Sequence, residues 1–134
     1  MSSDETRFSL GGSIPVLRML DEAAAKAFYV EYLGFEIDWE HRFHDDASSP
    51  LYMQIHHGDA VLHLDGHAGP DAPVSDVRIP VAGLERYRDH LHAKDASYEK
   101  PEVVDPRGEG SKTDMSVMDP SENHLIFWSA RVGS

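Results

Sequence analysis

The sequence predicts an α+β protein made of two tandem βαβββ modules, whose strands form a curved mixed sheet with a ligand cleft. The chain has 134 residues, which suits one compact domain. A pattern of strand, helix and three strands occurs twice. The hairpin LYMQIHHGDAVLHL recurs as TDMSVMDPSENHLIFW, with a longer turn in the second copy. We therefore divide the chain into a flexible N-terminal arm (1–12), a first module (13–66), a connector (67–74), a second module (75–130) and a C-terminal tail (131–134).

The first module begins with a strand and a helix. SIPVLRML, residues 13–20, is predicted as the strand. Asp21 is the predicted N-cap of a helix over 22–33, because its carboxylate can accept hydrogen bonds from the free amides of the first turn. Gly34 is predicted to end the helix in the left-handed conformation. Apolar side chains at helical spacing predict one buried stripe, formed by Ala25, Phe28, Tyr29, Tyr32 and Leu33.

Three strands complete the first module. FEIDWEHRF, residues 35–43, alternates in polarity and predicts a half-buried strand. Two interpretations remain open for Trp39 and His41 on it: both line the cleft, or Trp39 lies in the core and His41 at its margin. Two further strands, 51–57 and 60–65, are joined by a tight turn. The side chains predicted to share the apolar face of 35–43 are Phe35, Ile37, Trp39, His41 and Phe43.

The second module repeats this order. A strand at 75–81 precedes a helix at 83–95, and Leu84, Tyr87 and Leu91 share one face of that helix. A short strand near 98–104 follows. A hairpin then closes the module, with predicted strands at 112–118 and 123–130. Each copy is too small to bury its own sheet, so the two are expected to pair.

Composition narrows the range of ligand classes and cellular locations to be expected. Asp and Glu outnumber Lys and Arg by 24 to 12, a formal net charge of −12. An acidic chain repels phosphate backbones, which argues against nucleic acid, and it favours cationic ligands where the acids gather. No apolar run approaches the roughly 20 residues that cross a bilayer. With no cysteine and an acidic start, MSSDETRFSL, the expected location is the cytoplasm, away from membranes.

Two polar pairs on neighbouring strands are candidate ligand-binding residues. Tyr52 and Gln54 alternate with apolar neighbours and leave the core side of their strand together. His63 lies on the face opposite Leu62 and Leu64, and His67 follows just past the strand end. Three roles stay open for the two histidines: lining a cavity by hydrogen bonding, binding a metal ion, or lying on the surface.

Several stretches carry a family resemblance over about residues 13–129. These are IPVLRMLD, FYVEYLGFEIDWEHRF, the LYMQ and VLHLDGH hairpin, and DPSENHLIFW. FYVEYLGF resembles a signature of the vicinal oxygen chelate superfamily, which includes glyoxalase I, extradiol dioxygenases, and fosfomycin- and bleomycin-resistance proteins. The hairpin text is most similar to that of bleomycin-resistance-like members. The resemblance implies paired βαβββ modules and a cleft.

The resemblance also implies where a metal would be held, by four inward ligands on the first and last strands of the modules. In this sequence those positions fall near Ile14 or Pro15, at about Asp76, at Ile126, and at Leu62 or His63. At best two of the four can ligate, whereas three protein ligands are the usual minimum for a catalytic ion. The expectation is therefore a protein without a cofactor.

Metal-free members resembling bleomycin-resistance proteins form homodimers whose grooves sequester a large cationic drug without altering it. The resemblance implies this function here, with a small-molecule ligand bound by Trp39, His41, Tyr52, Gln54, His63, His67 and Arg107. Arg107 stands in a PRG turn where those proteins commonly carry PWG. Glu122 replaces a turn glycine, so a different turn is expected.

Two alternatives accompany that function. One is a glyoxalase-type lyase or isomerase, or a dioxygenase, with a divalent metal ion held by an atypical set: His63, His67 and either Asp76 or Glu40. The other is an accessory or regulatory subunit whose cleft has become an interface.

Overall fold

The structure is a computed structural model that describes residues 7–46 and 48–129. Two four-stranded mixed sheets follow one another along the chain. In each sheet the first strand runs parallel to the last one and the other pairs are antiparallel. The first half contains β1 (Val16–Arg18), α1 (Glu22–Lys26), a π-helical segment (Ala27–Tyr32), β2 (Glu36–Arg42), β3 (Leu51–His57) and β4 (Ala60–Asp65). The second contains β5 (Asp76–Val81), α2 (Leu84–His92), β6 (Val103–Val104), β7 (Asp114–Met118) and β8 (His124–Ser129). The strand orders are β1-β4-β3-β2 in the first sheet and β5-β8-β7-β6 in the second.

The predicted duplication is confirmed, although several elements differ in extent. The first strand covers three residues of the predicted eight, 13–20. Residues 7–12 of the predicted arm form no helix or strand and are exposed, whereas 1–6 lie outside the described residues, as do Ala47, Ala130 and the predicted tail. No helix in the described ranges is long and apolar enough to cross a membrane.

The first helix begins as predicted and then widens. The Asp21 carboxylate accepts from the backbone N–H of Ala24 at 2.9 Å, which caps α1. From Ala27 onward the turns are π-helical, and Leu33 N–H donates to the carbonyl of Phe28, five residues earlier, at 2.9 Å. The predicted stripe is nonetheless buried in full. Gly34 ends the segment at φ 93°, the left-handed conformation predicted for it.

A bulge in β2 corrects the predicted face of that strand. Ile37 pairs with Ile55, but Trp39 pairs with Gln54, so Asp38 is an extra residue on this strand. The bulge breaks the alternation. Ile37 packs against the core, whereas Trp39 and His41, which pair with Gln54 and Tyr52, face the other way. The prediction that Phe35, Ile37, Trp39, His41 and Phe43 share one face is therefore wrong, and Trp39, 41% exposed, is not a core residue.

One hydrophobic core joins the two halves. It takes alternate residues of both sheets together with the helical residues between them, for example Leu62 and Leu64 from β4 and Leu125 and Phe127 from β8. The opposite side of each sheet is open. We call the core-averted side chains of β2–β4 the first open face, comprising Glu36, Asp38, Trp39, His41, Tyr52, Gln54, His56, Val61, His63 and Asp65. The second open face belongs to β5, β7 and β8 and comprises Asp76, Arg78, Pro80, Ser116, Met118, His124, Ile126 and Trp128.

The β7–β8 turn fastens the second half to the first. Its buried Asp119 accepts from the Tyr29 hydroxyl at 2.6 Å. Ser121 Oγ accepts from Leu20 N–H at 2.9 Å, and the Ser121 carbonyl accepts from the Arg18 side chain at 2.9 Å. Glu122 has φ 71°. The glutamate itself thus takes the left-handed conformation, which a glycine adopts without strain.

Candidate functional site

Five polar side chains form a continuous hydrogen-bond chain across the first open face. Tyr52 Oη lies 2.8 Å from His63 Nδ1, and His63 Nε2 lies 2.9 Å from Gln54 Oε1. Gln54 Nε2 donates to Asp38 Oδ2 at 2.9 Å, and Asp38 Oδ1 lies 2.6 Å from His56 Nδ1. Adjacent strands create this chain, because Gln54 of β3 pairs with Trp39 on one side and with His63 on the other.

The chain of hydrogen bonds has a fixed direction. The Gln54 amide nitrogen donates to a carboxylate, so its carbonyl oxygen faces His63 and accepts from the Nε2–H. In a neutral imidazole the other nitrogen, Nδ1, is then the acceptor for the Tyr52 hydroxyl proton. Both nitrogens of His63 are therefore occupied within the face.

Aromatic rings cover the same network. Trp39 and Tyr52 are stacked, with centroids 6.1 Å apart and planes 12° from parallel. The His63 ring meets Trp39 nearly perpendicularly at 5.4 Å. Next to them, Phe43 lies 4.5 Å from the His41 ring and 4.7 Å from the His67 ring. The structure thus gathers five of the predicted site residues into two neighbouring aromatic groups, and a sixth, Gln54, is hydrogen-bonded to one of them through His63.

Acidic groups border the rings. Hydrogen bonds from Gln54, and then from His56, lower the pKa of Asp38 below its ordinary value, so its carboxylate stays charged. Burial and the nearby Asp65 carboxylate raise the pKa of Tyr52, which keeps its phenol protonated. Asp65 also accepts from the His67 backbone N–H at 2.8 Å. Exposed aromatic surface beside carboxylates suits a flat cation.

The seventh predicted residue lies elsewhere. Arg107 is in the loop between β6 and β7, in the second half of the chain, where its side chain is exposed and lies 3.6 Å from the Glu109 carboxylate.

Sequence reasoning missed Asp38, His56 and Phe43. A bulge leaves no clear signal in an alternating strand such as FEIDWEHRF, and the bulge is what turns Asp38 toward Gln54.

The donor groups do not fit a divalent metal ion. Leu62 is buried in the core, which settles the uncertain strand position in favour of His63, but both nitrogens of that ring already make hydrogen bonds. Asp76 lies in the other half and faces His124 at 3.5 Å. Among the residues described, no three His, Asp or Glu side chains lie close enough to hold one ion. The set His63, His67 and Asp76 or Glu40 is thus not assembled here.

A separate cavity of about 650 Å³ lies where the β3–β4 turn approaches the beginning of α2. Phe35, Ile79, Tyr87 and Phe127 supply its apolar walls. Sequence reasoning missed this cavity. The sequence feature that could have indicated it is the unequal length of the two hairpin turns. The long β7–β8 turn fills the space at its junction, whereas the short β3–β4 turn leaves the equivalent space unfilled.

Comparisons with known proteins agree with the fold. A bleomycin-binding protein from bleomycin-producing Streptomyces verticillus, complexed with copper(II)-bleomycin, is 23% identical and superposes with a TM-score of 0.67 over 92% of this chain and 99% of that one. An antibiotic-binding protein from Streptomyces sp. CB03234 is 16% identical, with a TM-score of 0.65 over 92% and 98%. A putative glyoxalase family protein from Bacillus anthracis is 17% identical, with a TM-score of 0.63 over 94% and 100%.

At these identities the solved structures establish a shared fold. A search of the curated proteins finds no match. The family model described as "glyoxalase superfamily protein" matches residues 4–134, nearly the whole chain. This match confirms the resemblance predicted from FYVEYLGF and the paired hairpins: the chain belongs to the glyoxalase superfamily.

Proposed function

We propose that the protein binds a flat, cationic small molecule on the first open face and sequesters it without chemical change. The observation that carries this proposal is the stacked pair of Trp39 and Tyr52, with 41% of the Trp39 residue exposed. Burying an indole is favourable, so a tryptophan held open to solvent on a rigid strand is available for a ligand. Stacking of a flat ring on such a surface is worth about 1–3 kcal/mol.

Charge selects the class of ligand. Asp38 and Asp65 border the stacked rings, and the chain carries a formal net charge of −12. A cation over the face of a tryptophan gains about 0.5–2 kcal/mol, more as water is excluded. Two structures of the same fold are described as bleomycin-binding proteins and another as an antibiotic-binding protein. These descriptions support a drug-like ligand for this chain.

The proposed binding is non-catalytic because of how the polar groups are used. A general base needs a free lone pair directed at the substrate. The one acceptor nitrogen of His63 already accepts a hydrogen bond from the Tyr52 hydroxyl. Asp38 is already engaged by Gln54 and His56. The network therefore holds side chains in place and offers hydrogen-bonding surface.

A homodimer completes the groove in this proposal. Both open faces point away from the shared core, so neither one is covered by the other within a single chain. The second open face presents apolar side chains to solvent, among them Met118 at 54% exposure, together with Ile126 and Trp128. Placing this face of one copy opposite the first open face of another would cover Trp39 and form a groove in each half of the dimer.

Tryptophan fluorescence tests the binding site. The chain has two tryptophans, so Trp128→Phe leaves Trp39 as the only indole reporter. We expect metal-free bleomycin, copper(II)-bleomycin or the smaller flat cation ethidium to quench that emission. By calorimetry, Trp39→Ala should weaken binding about tenfold or more, and Asp65→Asn less. Val74→Ala, an exposed substitution in the connector, is the matched control. Equal binding by Trp39→Ala and the parent protein would contradict the proposed site.

Two further measurements test sequestration and assembly. Mass spectrometry should recover the bound ligand unchanged after long incubation, and a converted product would refute the non-catalytic role. Light scattering should give the mass of a dimer. Met118→Glu should shift the measured mass toward that of a monomer and weaken ligand binding. Val74→Glu, which introduces the same charge at an exposed position outside the face, should do neither.

A further inference from the structure

The cavity of about 650 Å³ lies between the two halves, and Pro80 is the one described residue that both lines it and belongs to an open face. The β3–β4 turn forms one side, with His57, Gly58 and Asp59. The end of β5 and the first turn of α2 form the other side, including Gly83 and Arg86. Its volume falls in the range of about 300–1,000 Å³ that small-molecule sites occupy.

The internal duplication explains why this space is unfilled. β1 and the start of α1 correspond to β5 and the start of α2, and the β7–β8 turn corresponds to the β3–β4 turn. At the first junction, the turn from Asp119 to Asn123 inserts buried side chains against Tyr29 and Leu20. At the second, the turn is only Gly58 and Asp59, too short to insert. The same junction is thus plugged in one copy and hollow in the other.

The walls of the cavity are aromatic and aliphatic. Phe127 and Tyr87 meet nearly perpendicularly at 5.2 Å, and the His57 ring lies 5.5 Å from Phe35 and 5.9 Å from Tyr87. The Tyr87 hydroxyl donates to the Leu33 carbonyl at 2.7 Å, which fixes the ring as a wall. Such walls suit a flat apolar ligand.

Two charged side chains line the cavity, Arg86 and Asp59, and neither is paired within the described residues. Arg86 has no carboxylate partner anywhere in the described part of the chain, although acids outnumber bases two to one. Its guanidinium rests on the backbone of Gly83, where an added Cβ would lie 2.7 Å from Nη2. By contrast, Arg88 on the same helix is paired with Asp89 at 2.9 Å. A guanidinium beside an apolar cavity offers a bidentate site for a carboxylate or sulfonate.

We propose that this cavity is a second binding site, which takes a small flat aromatic monoanion with its acidic group on Arg86. The site is independent of the first open face, and its ligand has the opposite charge. Asp59 at the rim disfavours additional negative charge, which limits the ligand to one acidic group.

The probe is 2-naphthoate, with neutral 2-naphthol as its matched comparison, and binding is followed by two-dimensional amide NMR on the full-length protein. We expect 2-naphthoate to shift the amide signals of Gly58, Ala60 and Gly83, while those of Gln54 and His63 stay in place. Naphthol should bind about tenfold more weakly, because it cannot form the charge-assisted pair.

Two variants that change the net charge identically separate the site from a general charge effect. Arg86→Gln should weaken 2-naphthoate binding about tenfold and leave naphthol unaffected, whereas Arg88→Gln should change neither. Asp59→Asn should strengthen 2-naphthoate binding. Shifts confined to the first open face, no shifts at all, or equal binding of the two probes would each overturn the proposal. Loss of ethidium binding by Trp39→Ala bears only on the first site, so the two proposals fail separately.

Discussion

Replacing Asp119 by alanine removes a buried acceptor in the contact between the two halves. This carboxylate is 5% exposed and accepts four hydrogen bonds. They come from the Tyr29 hydroxyl at 2.6 Å and, each at 2.8 Å, from the backbone N–H groups of Ser121 and Asn123 and the Asn123 side chain. A buried donor left without an acceptor costs about 1–3 kcal/mol. Water entering the opened turn offsets part of that cost, so we expect Asp119→Ala to lower the free energy of unfolding by about 3–5 kcal/mol.

Tyr29→Phe provides the graded comparison. It removes one of the four donors, leaves an apolar ring in an apolar site and keeps the carboxylate satisfied by Ser121 and Asn123. The expected loss is about 1–2 kcal/mol, since a hydrogen bond to a charged group is worth about 1.5–3 kcal/mol. Asp71→Ala, an exposed replacement of the same charge in the connector, should cost less than about 0.5 kcal/mol.

Urea unfolding followed by circular dichroism measures these differences. With a slope near 2 kcal/mol per molar urea, the midpoint should fall by roughly 2 M for Asp119→Ala and roughly 0.7 M for Tyr29→Phe. If Asp119→Ala shifts the midpoint no further than Tyr29→Phe does, the carboxylate does not hold the turn in the way these hydrogen bonds indicate, and the reasoning is refuted.

Three other outcomes are expected. Glu122→Gly should raise the melting temperature by roughly 3 °C, about 1 kcal/mol, because φ 71° strains a residue with a Cβ; Glu122→Ala keeps the Cβ and should give no gain. Gln54→Leu should raise the pKa of Asp38 in an NMR titration, and an unchanged value would show that this hydrogen bond does not lower it. Burial raises the pKa of both Tyr29 and Tyr87 above the ordinary 10.0. The unfolded chain therefore releases those protons first, and stability should fall as the pH rises above about 10, less steeply in Tyr29→Phe.

Most of the architecture could be predicted from apolar periodicity and from the residues at turns. The stripe from Ala25 to Leu33, the left-handed Gly34 and the repeated hairpin all follow from local rules, and each is present in the structure. The widening of the first helix to π turns does not follow from such rules, because the apolar spacing that predicts an α-helix keeps the same side chains buried in either form.

The first open face was only partly predictable. Tyr52, Gln54 and His63 follow from strict alternation in β3 and β4, where no residue is inserted. Trp39 depends on the bulge at Asp38, which is set by pairing with another strand and is invisible in the strand's own sequence. The cavity beside Arg86 is a property of two turns packed against distant elements, so only a comparison of the two copies could indicate it.

The bulge in β2 has a second consequence, for solubility. This strand is at the edge of its sheet and pairs with β3 alone in the described part of the chain. A long, straight edge is a template on which other chains can add strands and aggregate. The inserted Asp38 interrupts that template, and charged Glu36 and Glu40 on either side of it disfavour docking. One irregularity thus exposes an aromatic ring and protects the sheet that carries it.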